Sequence, residues 1–247
     1  MVFIYTLASV VLVSLISLIG VLTLAVKKNF LNNILLYLVA FSVGALLGDS
    51  LIHLLPEAFS ENGESLFLSL AIFSGMLSFF LLEKILRWRH CHDLSCKDHP
   101  NHIGTINLVG DALHNLIDGL LIGASFLVSV PLGIATTLAV VLHEIPQELG
   151  DFGVLIHSGF TVKKAVLYNF ISASTAIISA MVAVWIGTSI VGFERFMIPF
   201  TIGSFVYIAL SDLIPELHQE VGRRKTLGQI IAILLGFGVM YAILFIE

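Results

Sequence analysis

Apolar runs of twenty or more residues follow one another along most of this chain, and that feature restricts its fold more than any other. A helix that crosses ~30 Å of hydrocarbon needs about 20 mostly apolar residues. Reading to that length predicts eight spans: Val2 to Val26, Leu31 to Pro56, Ser65 to Leu86, Gly104 to Val130, Pro131 to His157, Val162 to Gly187, Phe196 to Leu217 and Thr226 to Ile246. The runs are continuous and not alternating, which excludes membrane strands. Only 12% of the 247 residues are charged and 57% are hydrophobic, whereas a soluble domain carries about a quarter charged residues. The expectation is an all-α membrane protein, residues 1–247 forming a single eight-helix domain. Val2 to Val26 has no basic start and no clear small-residue cleavage site, so it reads as a retained helix and not a signal peptide.

The basic residues orient the spans. Lys27, Lys28, Lys84, Arg87, Arg89, Lys97, Lys163, Lys164, Arg223, Arg224 and Lys225 all fall on one side, and Arg195 alone falls on the other, with Glu57, Glu61, Glu64, Glu194 and Glu247. The positive-inside rule makes the basic side cytoplasmic and both termini extracytoplasmic, as expected of a multi-pass protein of the cell membrane. A net charge of −5 argues against a nucleic-acid partner. Cys91 and Cys96, the two cysteines, lie in one basic-side loop, 88–103, with His90, His92, His99 and His102. Such a tract suits a flexible acceptor or sensor of metal ions, although it lacks zinc-finger spacing.

Two pairs of segments resemble each other across spans that run in opposite directions. Gly44 followed by His53-Leu-Leu-Pro-Glu57 matches Gly203 followed by Asp212-Leu-Ile-Pro-Glu216, and Leu113-His-Asn-Leu-Ile-Asp-Gly-Leu120 matches Leu142-His-Glu-Ile-Pro-Gln-Glu-Leu149. Inverted repeats of this kind place a transport site near the midplane. The second pair also carries the chemistry. Asp111, His114, Asn115 and Asp118 share one helical face of span four; on span five His143 and Gln147 are one turn apart, as are Glu144 and Glu148. Ionisable groups at this depth mark an ion path, a relay or a site, and imidazole with carboxylate suits zinc, iron or manganese. The bland alternative is interhelical hydrogen-bond glue; the density of ligands favours a metal or proton site between spans four and five. Pro146 cannot donate to the carbonyl of Leu142 and so exposes a backbone oxygen, while Gly119, Gly123 and Gly150 would let helices approach closely.

His114-Asn-Leu-Ile-Asp118-Gly119 with His143-Glu-Ile-Pro-Gln-Glu148 resembles the paired fourth- and fifth-helix motifs of the ZIP family of divalent-metal transporters, and Asp212-Leu-Ile-Pro-Glu216 resembles that family's seventh helix. The resemblance extends over essentially the whole chain. It implies uptake of zinc, iron, manganese or cadmium into the cytoplasm, through a midplane, binuclear site formed by His114, Asn115, Asp118, His143, Glu144, Gln147 and Glu148. The metal is then the transported substrate and no cofactor is expected; the partners are divalent ions and the lipid bilayer, with a homodimer compatible. Two departures bear on ion choice: members with a second histidine in the fifth-helix motif have it where Gln147 stands, and many members have Glu where Asp118 stands.

Asp49, His53 and Glu57 are spaced one turn apart on the outer part of span two and suit an access path; Asp212, Glu216 and His218 suit an exit, with His157 less defined. Glu83 with Lys84 and Arg87 reads as an interfacial charge cluster, and Asn169 and Ser172 as packing against the site. The competing class is an intramembrane metalloenzyme. His143-Glu144 begins like a protease HExxH helix, but Gln147 takes the place of the second His, and the Glu-x-x-His repeat of a di-iron centre is missing. No Walker-type motif is present, so the chain itself is not expected to spend ATP.

Overall fold

The computed structural model describes residues 1–24, 28–63, 65–88, 100–190, 192–219 and 222–245. Its regular structure is helical throughout those residues, arranged as eight rods. The first, α1, is Val2–Ile16 and tightens into a 3-10 helix, Ser17–Leu24. The second, α2, is Lys28–Gly48, extended through Asp49–Leu54 to Leu55–Asn62. Then come α3 (Leu66–Trp88), α4 (Pro100–Val128) and α5 (Val130–His157). The sixth rod, α6, is Val162–Ala173 continued by Thr175–Gly187. The seventh, α7, is Phe193–Tyr207 extended through Ile208–Leu213 to Ile214–His218, and α8 is Arg223–Ile243. The eight expected spans are therefore present, with ends shifted by a few residues. Seven rods are long and apolar enough to cross a membrane; α5 has 28 residues, but its polar turns from His143 onward lower its hydropathy. Residues 89–99 of the His- and Cys-bearing loop lie outside the described residues.

The inverted repeat is visible in the packing. Gly44 of α2 lies against the Ile233 carbonyl of α8, and Gly236 of α8 lies against the Phe41 carbonyl of α2. In the other half, Gly203 of α7 lies against the Ile72 carbonyl of α3, and Gly75 of α3 against the Phe200 carbonyl of α7. A Cβ at any of the four would overlap the facing backbone, so only glycine lets these axes come so close. The α4–α6 pair is built the same way, with Gly119 against the Ala176 carbonyl and Gly123 against Ala180. Gly150, by contrast, has no neighbour that a Cβ would meet, and it lines a cavity. The expectation that it brings two helices together is overturned, because its side of α5 faces open space.

One local feature was not expected from the apolar pattern. Asp49–Leu54 and Ile208–Leu213 are π-helical turns, and they occupy corresponding places in the two halves. The Leu55 N–H reaches the Ser50 carbonyl, and the Ile214 N–H reaches the Ala209 carbonyl. Each wide turn is followed closely by a proline, Pro56 or Pro215. A proline ring collides with the carbonyl four residues back in an α-helix, and widening the turn before it relieves that collision.

Rods α2, α4 and α7 are the most enclosed, whereas α3 and α8 present Leu70, Phe73, Leu77, Leu227, Leu234 and Leu235 outward. Those exposed apolar faces fit lipid contact.

Candidate metal centre

Rods α4 and α5 are joined through Ser129, which is extended and accepts a hydrogen bond from the Leu132 N–H as the cap of α5. So short a connection folds the two rods back on each other. His114 and Asn115 lie as far before Ser129 as His143 and Glu144 lie after it. At 1.5 Å per residue these residues meet about 22 Å from the connection, deep in the bundle.

Four side chains converge there. His114 Nε2 and His143 Nε2 are 3.3 Å apart. Asp118 Oδ2 stands 3.1 Å from His143 Nε2 and 3.6 Å from His114 Nε2. Glu144 Oε1 stands 3.4 Å from His114 Nε2 and 3.6 Å from His143 Nε2. Ligand atoms about 2.0 Å from a tetrahedral zinc are about 3.3 Å from one another, so the four atoms already have the mutual spacing of a metal's ligand shell. His143 is almost fully enclosed. Its Nδ1 lies 3.0 Å from the Ala139 carbonyl; donating there leaves the Nε2 lone pair free for a cation. Phe79 of α3 packs edge-on against His114 and Phe205 of α7 against His143. These apolar walls bound the donors on the sides of α3 and α7.

A second group adjoins the first. Asp111, Glu144 and Glu148 bring carboxylate oxygens within 4.8 Å of one another, and Glu144 belongs to both groups. Neither Glu144 oxygen has a hydrogen-bond partner among the described residues, nor do Glu148 Oε1 and Asn115 Oδ1, and all three residues are buried. Buried oxygens left so are costly unless a cation or proton joins them. Asn115 Nδ2 donates to Asp111 Oδ1 at 2.8 Å, and Asn169 of α6 donates to Glu148 Oε2. Farther toward the basic side, Asn107 Nδ2 donates to Asp151 Oδ1 at 3.0 Å.

The residues expected from sequence thus divide. His114, Asp118, His143 and Glu144 come together; Glu148 joins Asp111 and Glu144; Asn115 steadies Asp111; Gln147 is half-buried at the cavity wall. Asp111 shares the ligand face by spacing but precedes the motif, which begins at His114. Asn169 comes from a separate rod, and nothing in its local sequence points to Glu148. His53 lies buried against α8, its Nε2 2.9 Å from the Met240 carbonyl. His218 and His157 are exposed and are not among the residues lining the cavity.

That cavity, about 530 Å³, is lined by Glu83, Asn107, Asp111, His114, Asp151 and Glu216 among others. These residues lie on the basic-side halves of α3, α4, α5 and α7, and His114 is at its inner end. Asp212 and Glu216 line it, whereas His218, named with them from the sequence, does not. Glu83 lines it too and accepts a hydrogen bond from the Tyr207 hydroxyl at 2.6 Å, so it is more than part of an interfacial charge cluster.

The family model for the ZIP zinc transporters matches residues 1–102 and 89–244. The chain belongs to the ZIP family. Among its relatives, the zinc transporter YKE4 of Saccharomyces cerevisiae is 32% identical over 238 residues, covering 82% of this chain and 69% of YKE4. The zinc transporter ZIP13 of Pongo abelii is 35% identical over 220 residues, covering 82% of this chain and 65% of that protein. The metal cation symporter ZIP8 of Rattus norvegicus is 27% identical, with 90% of this chain and 64% of ZIP8 covered. Membership makes this ZIP protein a multi-pass membrane transporter of metal ions and not an enzyme, which sets the metalloprotease and di-iron readings aside.

Proposed function

We propose that this chain carries divalent transition-metal ions, zinc foremost, into the cytoplasm through a binuclear site between α4 and α5. The observation that carries the reading is the mutual spacing of His114 Nε2, His143 Nε2, Asp118 Oδ2 and Glu144 Oε1, 3.1 to 3.6 Å over the five separations given above. Two nitrogens and two oxygens suit zinc, iron or cadmium. The second station is oxygen-only, from Asp111, Glu144 and Glu148, with Glu144 as the bridge. Asn115 adds a neutral oxygen, and Gln147, also neutral, adds at most a weak contact where other members place histidine.

Movement follows from which rods are locked together. The glycine contacts join α2 to α8 and α3 to α7, and separately α4 to α6. Alternating access then consists of the group containing α4, α5 and α6 moving against the group containing α2, α3, α7 and α8. In the present conformation the site communicates with the basic side, which the positive-inside rule makes cytoplasmic. The ion enters from the opposite side past Asp49 and His53 and leaves along Asp151, Asp212 and Glu216.

Proteoliposomes offered zinc, iron, manganese and cadmium test the function. Accumulation of zinc in the lumen is expected, and binding without accumulation would reduce the chain to a sensor. For the binuclear arrangement, Asp111→Asn should lower bound zinc in the purified protein from about two ions to one, read by elemental analysis; an unchanged ratio refutes the second station. Protons compete with metal for imidazole and carboxylate donors, so uptake should fall several-fold as the outer pH is lowered from neutral to clearly acidic. A flat profile contradicts the assigned donors.

A further inference from the structure

Pro146 leaves the Leu142 carbonyl without its helical donor, and a side chain from another rod supplies one. Ser42 of α2, fully buried, places its hydroxyl 2.5 Å from the Leu142 carbonyl and 2.8 Å from the Leu38 carbonyl of its own helix. The hydroxyl has one proton, and its shorter contact crosses to α5. We infer that Ser42 is a positioning residue for transport: its bond to Leu142 latches α5 against α2 in the conformation open to the basic side and biases the protein toward that conformation. This rests on the alternating-access reading above.

The internal repeat gives the latch its direction. Ser42 precedes Gly44 by two residues, as Thr201 precedes Gly203 on α7. Thr201 Oγ1 donates to the Met197 carbonyl in its own helix at 2.8 Å, the carbonyl that corresponds to Leu38 on α2. In the α4 repeat, Ile117 stands where α5 has Pro146. Ile117 keeps its N–H and α4 runs through it as an α-helix, so the Leu113 carbonyl retains its helical donor. Inverted repeats exchange roles between the two end states of a transporter. The state open to the other side would therefore set Thr201 against α4, where no carbonyl has been freed. One end state gains an inter-rod hydrogen bond next to the ligand His143, and the other gains none.

The latch also satisfies a second requirement. A carbonyl freed by proline at membrane depth must find a donor in protein or water, and an acceptor left unmet in the other state costs free energy. Leu142 thus stabilises the basic-side-open state twice, once by the bond formed there and again by the acceptor exposed elsewhere.

Thiol labelling tests this in the full chain, with Cys91→Ser and Cys96→Ser removing the native thiols. Thr136→Cys reports from the closed side: Thr136 lies on α5 two turns beyond His143 and is fully buried here. Val154→Cys reports from the open cavity, which Val154 lines. In intact cells treated with a membrane-impermeant maleimide, Ser42→Ala should raise Thr136→Cys labelling about fivefold, the population change that one ordinary hydrogen bond supports. In inside-out membrane vesicles, where the same reagent meets the cavity side, labelling of Val154→Cys should fall. Ser42→Thr retains the hydroxyl and should label as the unmodified protein does.

Pro146→Ala restores the helical donor to Leu142, so in that background Ser42→Ala should add less than twofold. A full effect of Ser42→Ala in the Pro146→Ala background overturns the proposal, because Ser42 would then be acting through its own helix. Zinc uptake measured on the same variants separates two failures. Uptake that persists while Thr136→Cys labelling is unchanged in Ser42→Ala overturns the latch alone; no uptake by the unmodified chain overturns the transport cycle and the latch's part in it.

Discussion

Alanine at His143 should reduce zinc uptake into proteoliposomes by on the order of a hundredfold or more, to the level of empty vesicles. Even groups that only hydrogen-bond to a metal's ligands are worth about 10–100-fold in affinity or activity, and His143 is expected to be a ligand itself. Its Nε2 is the meeting point of the cluster, 3.1 Å from Asp118, 3.3 Å from His114 and 3.6 Å from Glu144. Removing the ring takes away one nitrogen donor and leaves two carboxylates facing each other across an enclosed space. The variant should still fold, because only the ring's contacts with Phe205 and the Ala139 carbonyl are lost and the glycine contacts between rods are untouched. Flux that survives His143→Ala, in protein with an unchanged elution profile and melting curve, would mean that the ion takes another route.

Gly203→Ala should destabilise the protein strongly, and Gly44→Ala should do so to a similar degree. The added methyl at Gly203 meets the Ile72 carbonyl, and at Gly44 the Ile233 carbonyl. Backbone cannot swing aside as a side chain can, so the rods must separate. Overpacking of this kind costs about 1–3 kcal/mol, and these contacts fall at the upper end because each glycine has a reciprocal partner, Gly75 or Gly236. A clear drop in the detergent melting temperature of both variants is expected. Gly238→Ala is the control, since nothing lies where its Cβ would go. Equal melting of all three would refute the account of the α2–α8 and α3–α7 pairs as glycine-dependent.

The spans, the paired repeats and most of the first ligand group could be read from the chain because each rests on a periodicity or a local motif. His114 and Asp118 are one turn apart on one rod, and the motif on the next rod names His143 and Glu144. What joins them is the hairpin register, set by the Ser129 cap, and a list of residues contains no register. Glu148 illustrates the limit. Spacing puts it beside Glu144, where it lies, but Asp111 joins the pair from another rod, and the hydrogen-bond donor to Glu148 is Asn169 from a rod beyond the next loop. Gly150 shows the opposite error, a small residue read as a packing contact that is instead part of an open wall. The π turns escaped notice because widening a turn changes neither composition nor hydropathy.

Those two wide turns have a consequence for anyone editing the gene. Each adds a residue to its rod without adding a turn, and a residue in an α-helix is worth about 100° of rotation. Deleting one residue between Asp49 and Leu54 would close the turn to ordinary pitch and leave the outer part of α2 in phase, whereas deleting one from the regular turns of Lys28–Gly48 would rotate that part by roughly that angle, carrying His53 away from the Met240 carbonyl. In the same way a cut within Phe193–Tyr207, unlike one between Ile208 and Leu213, would rotate Glu216 relative to the cavity it lines. Alignments that place a gap freely along these rods would score the two cuts alike, since length and hydrophobicity barely alter. In these two rods the reading frame of the helix matters as much as the identity of its residues.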